Sequence, residues 1–288
     1  MNRAIRWLLR HADLALGFLL FVPLFWPTWR WMAERFDSVD SFYSPGWLVP
    51  LAVAWLVWQR RDALTVARWE PDGRGLWLLA PAVIVYILAV LLRVGVASGF
   101  AMLAALAGLI WTIAGYSVLR ILRFPILFLF FMIPLPSIFL ISVSFTMKLW
   151  AARIAAVIVG CMGIPAVQAG SMIRIPGVTI IVDDVCSGLR SLISLTALAV
   201  LWAWAVLPRS AARWQRWAIV ACAWPIALMT NMVRIVLLIL ISAFYGAEAA
   251  QGYIHTASGL VVFGLATVLL AAVERFVMSR RIREALHA

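Results

Sequence analysis

Long apolar runs alternate with short, arginine-rich breaks along almost the whole chain. A helix needs roughly 20 residues to cross a hydrocarbon core of about 30 Å. On that measure the pattern predicts spans near 14–33, 45–59, 76–93, 96–115, 122–140, 187–207, 217–245 and 255–274, the second of them short. One apolar stretch, 142–163, carries Lys148 and Arg153 inside it. Each cation at mid-span costs roughly 2.5–3.5 kcal/mol on insertion scales, so this stretch is expected to lie on the outer surface or dip in partway. After it the period changes. Met172 to Val182 places β-branched residues on both sides of Pro176-Gly177, which predicts a short hairpin.

Composition gives the class. The chain is 65% hydrophobic and 12% charged, whereas a soluble domain is nearer half apolar and a quarter charged. The expectation is an all-α polytopic membrane protein of about eight spans. The N-terminal run is read as a retained first span, not a cleaved leader. No repeat or linker divides the chain, so 1–288 is one integral membrane domain. The net charge of +12 sits in termini and short loops, the distribution of cytoplasmic loops, and does not suggest nucleic acid. Both termini, the loop 60–74, the turn at Arg120 and Arg123 and the loop from Arg209 to Arg216 are therefore placed inside. The chain then crosses an even number of times between Arg123 and Arg209, which leaves 164–186 outside. Three Cys without ligand spacing indicate neither a disulfide framework nor a zinc site; no cofactor is expected.

Three residues that are unusual at a membrane face converge on that outer side. Cys186 precedes Ser187, Gly188, Leu189 and Arg190, where the polar loop ends and the sixth span begins. A helix N-terminus favours a thiolate, and the N–H groups after Cys186 could receive an oxyanion. A free Cys is ordinarily an inert small hydrophobe, and Cys161 and Cys222, without such a context, are left as that. Arg234 lies within the seventh span with Asn231 three residues earlier on the same face. An intramembrane Arg is a functional candidate by default; the plainer reading pairs it with Asp183, Asp184 or a lipid phosphate. His255 opens the last span and suits acid–base work near neutral pH, although an interfacial His can simply cap a helix. His11 and His287 belong to the solvated basic termini. Thiol, guanidinium and imidazole from three consecutive spans follow the logic of a cysteine triad. Two details stay open. Asp183 and Asp184 either raise the thiol pKa or orient His255. Arg190, four residues after Cys186, holds a substrate carboxylate, holds an Asp, or snorkels.

These residues resemble the exosortase/archaeosortase family. The resemblance rests on Cys186-Ser187-Gly188-Leu189-Arg190-Ser191-Leu192, on Asn231-Met232-Val233-Arg234-Ile235, and on His255 with Gly259 four residues on. Phe131-Met132-Ile133-Pro134-Leu135-Pro136 and Gly163-Ile164-Pro165, with Gly170 and the hairpin, are similar to segments upstream of the Cys in exosortases. On this basis 1–118 supplies N-terminal spans, 119–275 the exosortase-like core and 276–288 a basic cytoplasmic tail. Asp183-Asp184 departs from the small-acidic-small pattern expected before the Cys, while Asp184 keeps the acid. No soluble domain is expected after the last span.

The resemblance implies a membrane cysteine transpeptidase with Cys186, Arg234 and His255 as catalytic residues. Asp184, Ser187, Gly188, Arg190 and Asn231 would support the site or the substrate. Its partners would be membrane lipids and exported proteins ending in a short motif (often Pro-Glu-Pro in bacterial members), a membrane span and a basic tail. Its place would be the bacterial cytoplasmic membrane, with the site facing outward. A polytopic transporter or flippase is the alternative, with Arg234 binding an anionic solute or lipid. An intramembrane serine protease using Ser187 or Ser258 is a third reading.

Overall fold

The computed structural model describes residues 16–38, 41–176, 178–181, 188–208, 210–246 and 253–286. The chain is an all-α polytopic membrane protein with one small sheet. It divides into two compact units, Met1–Pro136 and Ser137–Ala288.

The first unit begins with helical residues 16–24 (α1), which bend at Phe25 into α2, Trp26–Phe36. Pro27 sits in the first turn of α2, where its missing N–H is harmless. After a single 3-10 turn, α3 (Leu48–Trp58) and the short α4 (Arg61–Thr65) lead to α5 (Leu76–Leu91), α6 (Gly95–Ala114) and α7 (Tyr116–Phe128). Helices α5 and α6 pack closely. A Cβ on Gly108 of α6 would come within 2.7 Å of the Leu79 backbone of α5, so the absent side chain sets the approach, as small residues do between membrane helices. Thr28, Ser41 and Ser98 are buried hydroxyl residues of this unit. Thr28 donates to Ser98 at 2.9 Å, and Ser98 donates to the Gly95 carbonyl at 2.7 Å.

The predicted span 122–140 is not one helix. The chain leaves α7 through a 3-10 turn, Leu129–Met132, and runs extended from Ile133. Pro134 and Pro136 have no N–H to offer, and each disfavours a helical conformation at the residue before it. The one donor between them, Leu135 N–H, bonds to Tyr43 Oη at 3.2 Å. Burial pushes the Tyr43 phenol pKa up, partly offset by that bond.

The second unit opens with α8, Ser137–Cys161, an uninterrupted helix of 25 residues. The stretch expected to lie on the surface or dip in partway is the greater part of it. By length and composition α8 can cross a membrane. Its small face (Ala151, Ala152, Ala155, Ala156, Val159) packs with Ile173 of the sheet and Ile239 of the following helix pair, while Arg153 lies on the exposed side.

The sheet has three antiparallel strands in sequence order: β1 (Val167–Ala169), β2 (Met172–Ile175) and β3 (Val178–Ile181). Ile175 pairs with Val178, so β2 and β3 form the hairpin predicted here. Strand β1 was not foreseen; it is held against α8 by the Gln168 amide, which donates to the Leu149 carbonyl at 3.1 Å. Alternation does the rest, burying Ile173 and Ile175 and exposing Met172 and Arg174.

Three long helices complete the unit: α9 (Leu189–Leu201, continued by a π turn through Val206), α10 (Arg213–Tyr245) and α11 (Tyr253–Leu286). Their shared core includes Leu195, Ala199, Ile219, Ala223, Ala266 and Leu270. Among the described residues, six helices are long and apolar enough to cross a membrane, with Ser44–Trp58 a shorter apolar helix. Against the eight expected, 45–59 is that shorter helix, 14–33 is interrupted at Phe25 and 122–140 at its prolines, and α8 is added.

Candidate active site

The site is built where α9 begins against the middle of α10 and the start of α11. Helix α9 starts at Leu189, with Gly188 as its N-cap in the left-handed region at φ 83°. The Gly188 carbonyl accepts the first helical bond, from Leu192 N–H at 2.9 Å. Gly188 is buried against Asn231: an added Cβ would meet Asn231 Nδ2 at 2.8 Å and Cγ at 2.9 Å. Glycine is therefore required twice, for its backbone conformation and for the room that Asn231 occupies.

Asn231 and Arg234 lie one turn apart on α10 and face the bundle interior, with 3% and 5% of their surfaces exposed. Burying a guanidinium is costly unless it is hydrogen-bonded. Arg234 Nε donates to Ser258 Oγ on α11 at 3.1 Å, bridging 24 residues of sequence. Beside that bond, an ideal Cβ on Gly259 would sit 3.8 Å from Arg234 Nη2, so the guanidinium lies along the glycine. Thr230 is buried next to Asn231 and returns its hydroxyl to the Ile226 carbonyl at 2.8 Å, the usual local outlet for a hydroxyl in a helix.

Among the residues expected at the site, Gly188, Asn231 and Arg234 thus come together, and Arg190 is half-buried in the first turn of α9. Cys186, Asp183, Asp184 and Ser187 lie outside the described residues. Gly188, two residues after Cys186 in sequence, is the first described residue that follows them. His255 lies on α11, whose helix begins at Tyr253; its side chain is outside the described residues. By spacing it shares a helix side with Ser258 and Gly259, three and four residues on. Sequence reasoning noted Ser258 only as an alternative nucleophile and missed it as the partner of Arg234. The available signal was its position one turn after His255. Among the described residues no cluster of three His, Cys, Asp or Glu is placed to hold a metal ion.

Chemically, the arrangement presents a buried, hydrogen-bonded cation one turn along α10 from Asn231, which packs on a glycine at a helix N-terminus. Such a cation is suited to stabilising negative charge that develops nearby. A sequence model of the transmembrane exosortases matches residues 31–272, most of both units. Neither the curated proteins nor the solved structures gave a match.

Proposed function

The chain belongs to the transmembrane exosortase family, and from that premise we propose that it is a membrane cysteine transpeptidase that cuts the C-terminal sorting signal of exported proteins. The observation that carries the reading is Arg234, buried in an apolar bundle and bonded to Ser258, one turn along α10 from Asn231, on which Gly188 packs two residues after Cys186 in sequence.

In this mechanism a substrate's C-terminal span docks among the helices with its cleavage motif at the outer face. The Cys186 thiolate attacks the scissile carbonyl carbon, and the electron pair moves to the carbonyl oxygen. Arg234 and the N–H groups after Cys186 stabilise that oxyanion. As it collapses, the C–N bond breaks, His255 gives a proton to the leaving amine, and a thioester remains on Cys186. An incoming amine or water then gives a proton to His255 and attacks the thioester, releasing the thiolate. Asp184 and Arg190 are assigned to the support of the site or of the substrate.

Loop charge supports an outward-facing site in the bacterial cytoplasmic membrane. With α8 and α9 as the two crossings between Arg120/Arg123 and the arginines that open α10, the parity stays even and the Cys186 segment remains outside. This holds although the pair of crossings is not the one expected from hydropathy.

The test is Cys186→Ala, co-expressed with a substrate ending in motif, span and basic tail. Processing should cease while the variant accumulates in the membrane at the normal level. Continued processing by that variant would overturn the thiol mechanism. Burial of Arg234 also lends support to a carrier for an anionic solute or lipid. A carrier has no need of the thiol and would cut no substrate, so the same experiment separates the two.

A further inference from the structure

We infer that Ser258 is a positioning residue for the reaction: its hydroxyl fixes the plane of the Arg234 guanidinium on the developing oxyanion. The inference deepens the proposed function and rests on it.

An arginine side chain reaches its target through several rotatable bonds, and its value in recognition lies in a rigid planar fork. On a helix flank in an apolar bundle, the stem alone does not define how that plane is rolled. The bond from Nε to Ser258 Oγ does so, because Nε lies in the plane of the fork and at its root. The acceptor stands on a different helix, so this bond refers the roll of the guanidinium to α11. Gly259, the next residue on α11, leaves open the space along Nη2; Ser258 and Gly259 together form a seat of one acceptor and one gap. His255 lies one turn before Ser258. A single helix start thereby carries both the acid–base and the residue that aims the cation, which keeps the two in register. A cation aimed 1 Å away from the oxyanion loses much of its effect on the transition state, while ground-state binding of a substrate anchored by its span is little changed.

The role is distinguishable from a merely structural one and from that of a nucleophile. The full chain in lipid vesicles, given a purified substrate with motif, span and basic tail, yields kcat and KM separately. Ser258→Ala should lower kcat about 10- to 100-fold, the range of a hydrogen bond to a charged group, with KM unchanged. Ser258→Thr, which keeps the hydroxyl, should restore kcat to within about 3-fold. In an Arg234→Lys background, Ser258→Ala should add little, since lysine has no Nε to orient. Wild-type kcat in Ser258→Ala, a threonine variant no better than alanine, or an alanine variant that fails to accumulate would each overturn the positioning role. Cys186→Ala keeps the two proposals apart. If it still processes substrate, the thiol reading fails; if it is inactive while Ser258→Ala is fully active, only the role of Ser258 fails.

Discussion

Helix α10 carries two groups of costly buried polar side chains, one near its start and one just past its middle, and their partners differ. Near its start, Gln215 is fully buried; its amide oxygen accepts from Ala212 N–H at 2.8 Å and its amide nitrogen donates to the Val277 carbonyl of α11 at 3.2 Å. Arg216 alongside it bonds to the carbonyls of Ala203 and Pro208, where the last turn of α9 runs out of helical donors. Trp202 donates to Glu274 at 2.9 Å across the same end. Most of these bonds end on backbone, which is fixed by the fold, so the cluster acts as a clasp. Just beyond the middle, Asn231 and Arg234 instead face a glycine turn and a side-chain hydroxyl. Under the proposed function, side-chain polarity directed at a helix start serves the chemistry. The same burial cost would then support closure near the start of α10 and reactivity near its middle.

The comparison predicts separable effects, from large to small. Arg234→Lys keeps the charge but loses the fork, and should reduce substrate processing about 100- to 1,000-fold, the loss expected of a principal oxyanion donor, with normal accumulation in the membrane. Retained processing would remove the distinction between the two ends. Gly188→Ala combines a left-handed conformation costing about 1–2 kcal/mol for a residue with a Cβ with the collision against Asn231. Processing at equal protein level should fall at least about 10-fold, because each 1.4 kcal/mol is worth a factor of ten in rate. At the other end, Gln215→Leu leaves the Val277 carbonyl and the Ala212 N–H without the amide, a penalty of about 1–3 kcal/mol. It should lower the thermal midpoint in detergent while leaving the kcat of the folded protein intact; a fall in kcat would show that the clasp is part of the site. Trp202→Phe should cost about 1 kcal/mol for one bond, by the same thermal measurement.

The smallest effect tests neither end. Asp72 accepts from Arg74 N–H at 3.0 Å and from Trp111 Nε1 at 2.9 Å. These bonds, the backbone one first, hold its pKa below the usual carboxylate value. A lowered pKa in the folded state stabilises above the unfolded pKa, and the contribution is lost as pH falls through the folded value. Asp72→Asn should flatten the acid side of the stability profile slightly, with the small loss in thermal midpoint seen at neutral pH and almost none at acid pH, where the carboxylate is already protonated.

The predicted spans at 76–93, 96–115, 187–207 and 255–274 reappear within a few residues, because uniform apolar runs leave the backbone no option but the helix in lipid. The hairpin at Pro176-Gly177 was equally legible from turn residues and β-branched flanks. Expectation and structure part where local terms compete. Hydropathy alone ran 122–140 together across Pro134 and Pro136, and the stretch with Lys148 and Arg153 belongs to a helix, α8, long and apolar enough to cross a membrane, with Arg153 on its exposed side. Strand β1 was hidden because three residues carry too little pattern to be recognised.

By itself, the sequence determined the membrane class, the family and the residue types of the candidate site, since composition, period and motif are local properties. Only the tertiary structure decided that Gly188 rests on Asn231 and that Arg234 leans on Ser258. Those contacts join positions tens of residues apart through helix packing, and no local period records which faces will meet.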